Sequence, residues 1–149
     1  MLGVKGDGMR KDLVAKAIVM DENGNCLLLR RSASHPDMAG KPDLPGGVVD
    51  EGESIPAAVA REIEEEAGIA APVTNDELLY ANTSAYNNDR SVTRFLFVVR
   101  VPGDKPTVTI SWEHDQYQWV PFDHLDQQMT HPIYQAGIQY IQAHKLIEV

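Results

Sequence analysis

The chain has 149 residues, 43% of them hydrophobic, with 22 acidic against 13 basic side chains for a formal charge of −9, and a single cysteine, Cys26. The length suits one domain with a substantial core, and the lone thiol excludes an intrachain disulfide or a multi-cysteine zinc or iron–sulfur site and leaves a cytoplasmic setting as the expectation. The acidity argues against a nucleic-acid polymer as partner, since phosphate backbones are held by clustered Lys and Arg, and no apolar run approaches the roughly 18 residues that would span a membrane.

Residues 1–11 carry three glycines and little that could pack, so they read as a flexible tail ahead of a domain over residues 12–149. Alternation from Leu13 to Val19, a turn over Asp21–Asn25 and the run Cys26–Arg30 predict a β-hairpin, with Cys26 as a small buried hydrophobe. Ser32 to Pro45, with Pro36, Pro42, Pro45 and Gly40, reads as an irregular surface loop. A helix is predicted from Ile55 to Ala67, capped by Ser54, with Pro56 in its first turn and Gly68 as its stop. Glu77–Ala85 and Ser91–Val101, either side of Asn87-Asn88-Asp89, predict a second hairpin. Short strands follow at Val108–Ile110 and Gln116–Val120, and helical spacing runs from Ile133 to Leu146. The economical arrangement is an α/β fold, a mixed sheet with a helix on each side.

The segment from Gly47 to Ile69 is the informative one. On a helical wheel with Glu62 at zero, Glu65 falls at about 300° and Glu66 at about 40°, so three carboxylates project within one arc. Val59, Ala60, Ile63 and Ala67 form an apolar stripe beside them, which suits packing on a sheet, while Glu64 points to solvent. Like charges at these spacings destabilise a helix unless cations compensate. An all-oxygen cluster without Cys or His suits Mg²⁺ or Mn²⁺ better than zinc. A solvated acidic face is the plainer reading of Glu64-Glu65-Glu66 taken alone.

The surrounding spacing decides between these readings. Gly47, five residues, Glu53, seven residues, then Arg61-Glu62-Ile63-Glu64-Glu65-Glu66-Ala67-Gly68-Ile69 resembles the signature of the Nudix hydrolases at every defined position. Chance agreement at seven fixed positions is on the order of 10⁻⁹ per starting point at background residue frequencies. The resemblance extends to Leu44-Pro45-Gly46-Gly47 and to the order of elements, and implies a Nudix-type α/β/α sandwich. Pro42 departs from the tryptophan that many members carry there.

The resemblance implies a Mg²⁺-dependent hydrolase (Mn²⁺ being possible) of a small-molecule nucleoside diphosphate linked to another moiety X, with water attacking a phosphorus. It assigns Glu62, Glu65, Glu66 and the Gly47 carbonyl to the metal and pairs Glu53 with Arg61, which orients the loop and the carboxylates. Glu113, in Ser111-Trp112-Glu113-His114-Asp115, is the first candidate for the general base, with Glu65 or Glu66 as the alternative; His114 reads as surface. Arg30, Arg31, His35 and Asp37 before the glycines, and Tyr86, Arg90, Arg94 and Tyr117, are weaker candidates for substrate contacts. Triphosphate-type substrates are favoured, with nucleotide sugars, ADP-ribose and dinucleoside polyphosphates as alternatives. Outside catalysis stands a nucleotide-sensing module, disfavoured because no box carboxylate is missing. An isoprenoid diphosphate isomerase is also disfavoured, because Cys26 lies too early in the chain. The sequence is compatible with a monomer or a homodimer.

Overall fold

The computed structural model describes residues 10–148, and for Tyr86 the backbone alone. The expected tail therefore falls mostly outside the described residues, but Arg10 and Lys11 do not belong to it. They open strand β1 (Arg10–Met20), which is followed by β2 (Asn25–Arg31), β3 (Pro42–Asp43), β4 (Gly46–Val48) and helix α1 (Ile55–Ala67). The second half holds β5 (Leu78–Asn87), β6 (Arg90–Arg100), β7 (His114–Pro121), α2 (Phe122–Gln128) and α3 (Pro132–Ala143).

The sheet is mixed. β1 runs parallel to β6 along its whole length, from Arg10 opposite Arg90 to Met20 opposite Arg100, and β5 pairs antiparallel with β6 as the second hairpin. The first hairpin differs from expectation. Its turn forms, but Met20 opposite Cys26 is the one ladder pair between β1 and β2. Beyond it the two strands diverge. β4 pairs with β1 over Val14–Lys16, β3 pairs with β2 at Leu29 and Arg30, and the other edge of β2 is taken by β7. Leu44, in the short crossing between β3 and β4, is buried in the wedge.

The wedge positions the site, and two apolar layers hold it open. On one face α1 packs Val59, Ile63 and Ala67 against Ala15, Ala17, Val19, Leu27 and Phe97. Ser54 Oγ accepts from the Ala57 N–H at the start of this helix, and Gly68 closes its end in the left-handed conformation. On the other face α2 and α3 pack Phe122, Leu125, Ile138 and Ile141 against Ile18, Met20, Leu28 and Leu96. Helices on both faces of a mixed sheet make the expected α/β/α sandwich. α2 was not expected, and residues 108–110 form no strand, because the Thr109 N–H bonds the Ala67 carbonyl at the end of α1 instead of a ladder partner. Cys26 is buried, and burial pushes its thiol up to about 12, where it stays protonated.

Candidate functional site

A cleft of about 440 Å³ opens where β1 and β2 part. The Gly46-Gly47 loop and the Glu62 and Glu66 side chains of α1 form one wall. Arg31, His35, Glu113, His114, Arg94, His131 and Tyr134 also belong to its lining.

The carboxylates of α1 separate by environment. Glu66 is buried and accepts from the Gly46 N–H at 3.3 Å. Glu62 stands so close to the glycine loop that a Cβ on Gly47 would fall 2.1 Å from its Oε2. Glu65 has a 57% exposed side chain and meets Arg61 Nη1 at 3.3 Å. Burial pushes both Glu62 and Glu66 above the usual carboxylate range, and their mutual repulsion adds to the rise at Glu66. Two crowded carboxylates that resist ionisation together are a place where a cation is electrostatically wanted.

Arg61 is the hub of the outer layer. Its Nε and Nη2 donate to the two Glu53 oxygens at 2.8 and 3.0 Å, while Nη2 also meets Asp50 at 3.4 Å and Nη1 meets Glu62 at 3.7 Å. The Arg61 hydrogen bond holds Glu53 below its ordinary pKa. Glu53 Oε1 in turn accepts from the Asp50 N–H at 3.1 Å, which ties the loop after β4 to the helix.

Behind the glycine loop lies a buried ionic network that the sequence reasoning missed. Lys16 Nζ donates to Asp43 Oδ1 and to the Gly46 carbonyl, each at 3.1 Å. Asp43 Oδ2 is met by His114 Nε2 at 2.8 Å and by Arg31 Nε at 3.4 Å. Burial alone would raise the Asp43 pKa, but Lys16, His114 and Arg31 outweigh it and hold the carboxyl well below the usual range. Lys16 at an alternating strand position looks like an outward polar residue, and only the divergence of β1 from β2 turns it into an enclosed site. His114 is a correction: it is buried rather than on the surface, because its ring is drawn inward by Asp43.

Asp43, Glu66 and His114 bring potential ligand atoms within 4.8 Å of one another. Asp43 already has Lys16 and Arg31 as counter-charges and Glu62 has Arg61 at 3.7 Å, so the crowding that a cation would relieve is that of Glu62 against Glu66. These two carboxylates and the close Gly47 backbone offer oxygen donors, which fit a hard divalent cation, whereas Glu65 lies outside the cleft lining, exposed beside Arg61.

The other sequence candidates divide. Glu113 lines the cleft, with His35 Nε2 at 3.6 Å from its Oε2. Arg31, His35, Asp37, Arg90 and Arg94 also line it. Arg30 lies outside this cleft, bonded twice to Asp115 at 2.9 and 3.0 Å, and Tyr117 is exposed on β7. The Tyr86 side chain lies outside what the structure describes. His131, ahead of the predicted helical stretch, and Tyr134, within it, carried no signal of a site in the sequence. The His131 Nδ1 accepts from the Ile133 N–H at 3.3 Å, which leaves Nε2–H as the remaining donor of the neutral ring. Burial and the charges of Arg94 and Lys16 lower the His131 pKa, which favours that neutral form.

Comparison with known proteins meets this geometry. The NUDIX domain model matches residues 10–140. The chain belongs to the NUDIX family. It is 41% identical to the 8-oxo-dGTP diphosphatase of Escherichia coli (strain K12) over 61 residues, a stretch that is 41% of this chain and 46% of that enzyme. The match therefore spans about half the length of that relative. Among solved structures, the MutT protein of Methanosarcina mazei Go1 superposes with a TM-score of 0.77 at 28% identity, covering 92% of this chain and 96% of that one. The MutT NUDIX hydrolase of Burkholderia pseudomallei does so with a TM-score of 0.67 at 29% identity, covering 87% and 97%. Among the described residues no helix is long and apolar enough to cross a membrane.

Proposed function

We propose that the chain from residue 10 onward forms one catalytic NUDIX domain that hydrolyses a nucleoside triphosphate or a related small nucleotide at a phosphoric anhydride bond, with Mg²⁺ or Mn²⁺ as cofactor. The observation that carries this reading is the convergence of Glu62 and Glu66 on the Gly46-Gly47 backbone, with Arg61 and Glu53 bracing the loop from outside. The 8-oxo-dGTP diphosphatase relative favours a triphosphate over the alternatives. The lone buried Cys26 agrees with a reducing, cytoplasmic setting.

In this reading Glu62, Glu66, Glu65 and the Gly47 carbonyl hold the metal. A bound divalent ion supplies charge neutralisation at the phosphates and acidifies a coordinated water. The rest of the chemistry belongs to the chain. Glu113 accepts a proton from the attacking water, and Arg31 and Arg94 face the cleft as donors to phosphate or base oxygens. Arg61 and Glu53 act through the carboxylates they orient.

The test is a substrate panel of canonical and oxidised nucleoside triphosphates, nucleotide sugars, ADP-ribose and dinucleoside polyphosphates, with Mg²⁺ or Mn²⁺ and both products identified. A nucleoside monophosphate and pyrophosphate from a triphosphate, lost when EDTA is added, is the expected result. Metal-independent turnover, or tight nucleotide binding with no product from any panel member, overturns it.

A further inference from the structure

Glu113, just ahead of β7, and the carboxylates of α1 line one cleft from different elements, and their relative position has to be fixed by contacts between those elements. His114 is placed to do this. It is 4% exposed, and its Nε2 lies 2.8 Å from Asp43 Oδ2. Asp43 is held ionised and is an acceptor only, so Nε2 carries the proton and donates. Nδ1 is buried without a partner, which leaves the Asp43 contact as the ring's one polar anchor among the described residues.

From Asp43 the contacts continue across the cleft. Its Oδ1 accepts from the Leu44 N–H at 3.0 Å and from Lys16, whose Nζ also donates to the Gly46 carbonyl, and the Gly46 N–H donates to Glu66. A continuous chain of hydrogen bonds thus joins the residue beside Glu113 to Glu66. The strand geometry points the same way. The β2–β7 ladder shifts register between Arg30 and Arg31, so that Gln116 opposes Arg30 but His114, not Asp115, opposes Arg31. Such an irregularity at a strand end re-aims side chains. Here Asp115 turns outward to Arg30 while His114 turns inward to Asp43. The turn is pinned at its backbone as well, with the Ser32 N–H donating to the Glu113 carbonyl at 2.9 Å.

We propose that His114 is a positioning residue, whose hydrogen bond to Asp43 fixes the Glu113 carboxylate against the glycine loop and α1. The proposal rests on the reading of Glu113 as the base, and the experiment separates the two. His114→Gln places an amide donor near the position of Nε2 and keeps the contact, whereas His114→Asn is too short to reach Asp43. With dGTP and Mg²⁺ as probe, His114→Asn lowers kcat about 10–100-fold, as expected for a misplaced catalytic group, with KM within about threefold, at a temperature where circular dichroism shows the variant fully folded. His114→Gln restores kcat to within about threefold of the parent. In a Glu113→Gln background, His114→Asn costs less than about threefold more, because the group it positions is already gone.

A kcat for His114→Asn within threefold of the parent overturns the proposal. So does His114→Gln performing no better than His114→Asn, or a His114→Asn loss repeated in full in the Glu113→Gln background. Full activity of Glu113→Gln alone overturns the base assignment itself, whatever His114 does.

Discussion

At the scale of single residues the site depends on what Gly47 lacks. A Cβ there would fall 2.1 Å from Glu62 Oε2, and since only the end of that flexible side chain is in the way, the carboxylate would swing aside and leave its place against the glycine loop. Gly47→Ala is expected to cut metal-dependent turnover at least about tenfold while the protein remains folded; circular dichroism with a steady-state pyrophosphate-release assay checks both halves, and full turnover would show that turnover does not depend on where the Glu62 carboxylate sits. Arg61 is a different case, because it touches four carboxylates and no reacting group. Arg61→Ala is expected to weaken Mg²⁺ affinity about 10–100-fold, the usual loss when the support of a metal ligand is removed, as read by calorimetric titration. These residues are legible in the sequence because they lie within one 23-residue stretch of fixed spacing. His114 and Asp43 are not, because they stand 71 positions apart and neither has a spacing that announces the other. Lys16 is invisible for the same reason: a strand's alternation tells which face a side chain takes, not whether a neighbouring strand covers it.

At the scale of elements, the turn between β1 and β2 shows how a short polar segment fixes where the wedge begins. Asp21 is buried at its start, and its carboxylate accepts from the N–H groups of Asn23, Asn25 and Lys105 at 2.8–2.9 Å. Burial would raise its pKa, but these backbone donors outweigh that effect and hold it below 3.8. A carboxylate with a depressed folded pKa contributes its stability above the unfolded value and loses it as pH falls through the folded one. Asp21→Ala is therefore expected to cost about 1–3 kcal/mol at neutral pH, through unsatisfied buried donors. The gap from the parent protein narrows below pH about 4, and denaturant melts across that range check it. The elements themselves are largely readable: α1 carries its Ser54, Pro56 and Gly68 signals, and β5–β6 carries Asn87-Asn88-Asp89. Their partners are less so. The run Leu13–Val19 reads correctly as a strand, yet its main partner is β6 rather than the β2 that follows it, since tertiary pairing outweighs chain adjacency. α2 is missed because seven residues mixing Phe122 and Leu125 with acids and glutamines give little periodicity to detect.

For the whole molecule, the formal charge of −9 is concentrated, with −6 of it between Gly47 and Ile69. A divalent ion that binds this region in the folded chain alone must raise the melting temperature. At about ten times its dissociation constant the gain is about 1.4 kcal/mol, or roughly 4–5 °C for a domain of this size. Differential scanning calorimetry with and without Mg²⁺ reads the shift, and a melting temperature indifferent to Mg²⁺ and Mn²⁺ alike would count against a structural cation site in the cleft.

The parallel ladder between β1 and β6 carries a further consequence, for the order in which the protein is made. Every pair in it joins residues 80 positions apart, as Arg10 joins Arg90. Contacts of such separation carry the loop-closure entropy of most of the chain before they return any stability. During synthesis, β1 through α1 emerge without β6, the long parallel neighbour of β1. The apolar stripe of Val59, Ile63 and Ala67 then has no Phe97 or Val99 to lie on until Arg100 has been added. Even the arrival of β6 beside β1 leaves the cleft unfinished, because Glu113, His114, His131 and Tyr134 of its lining follow β6 in the chain, so the site is among the last parts of the molecule that can be completed.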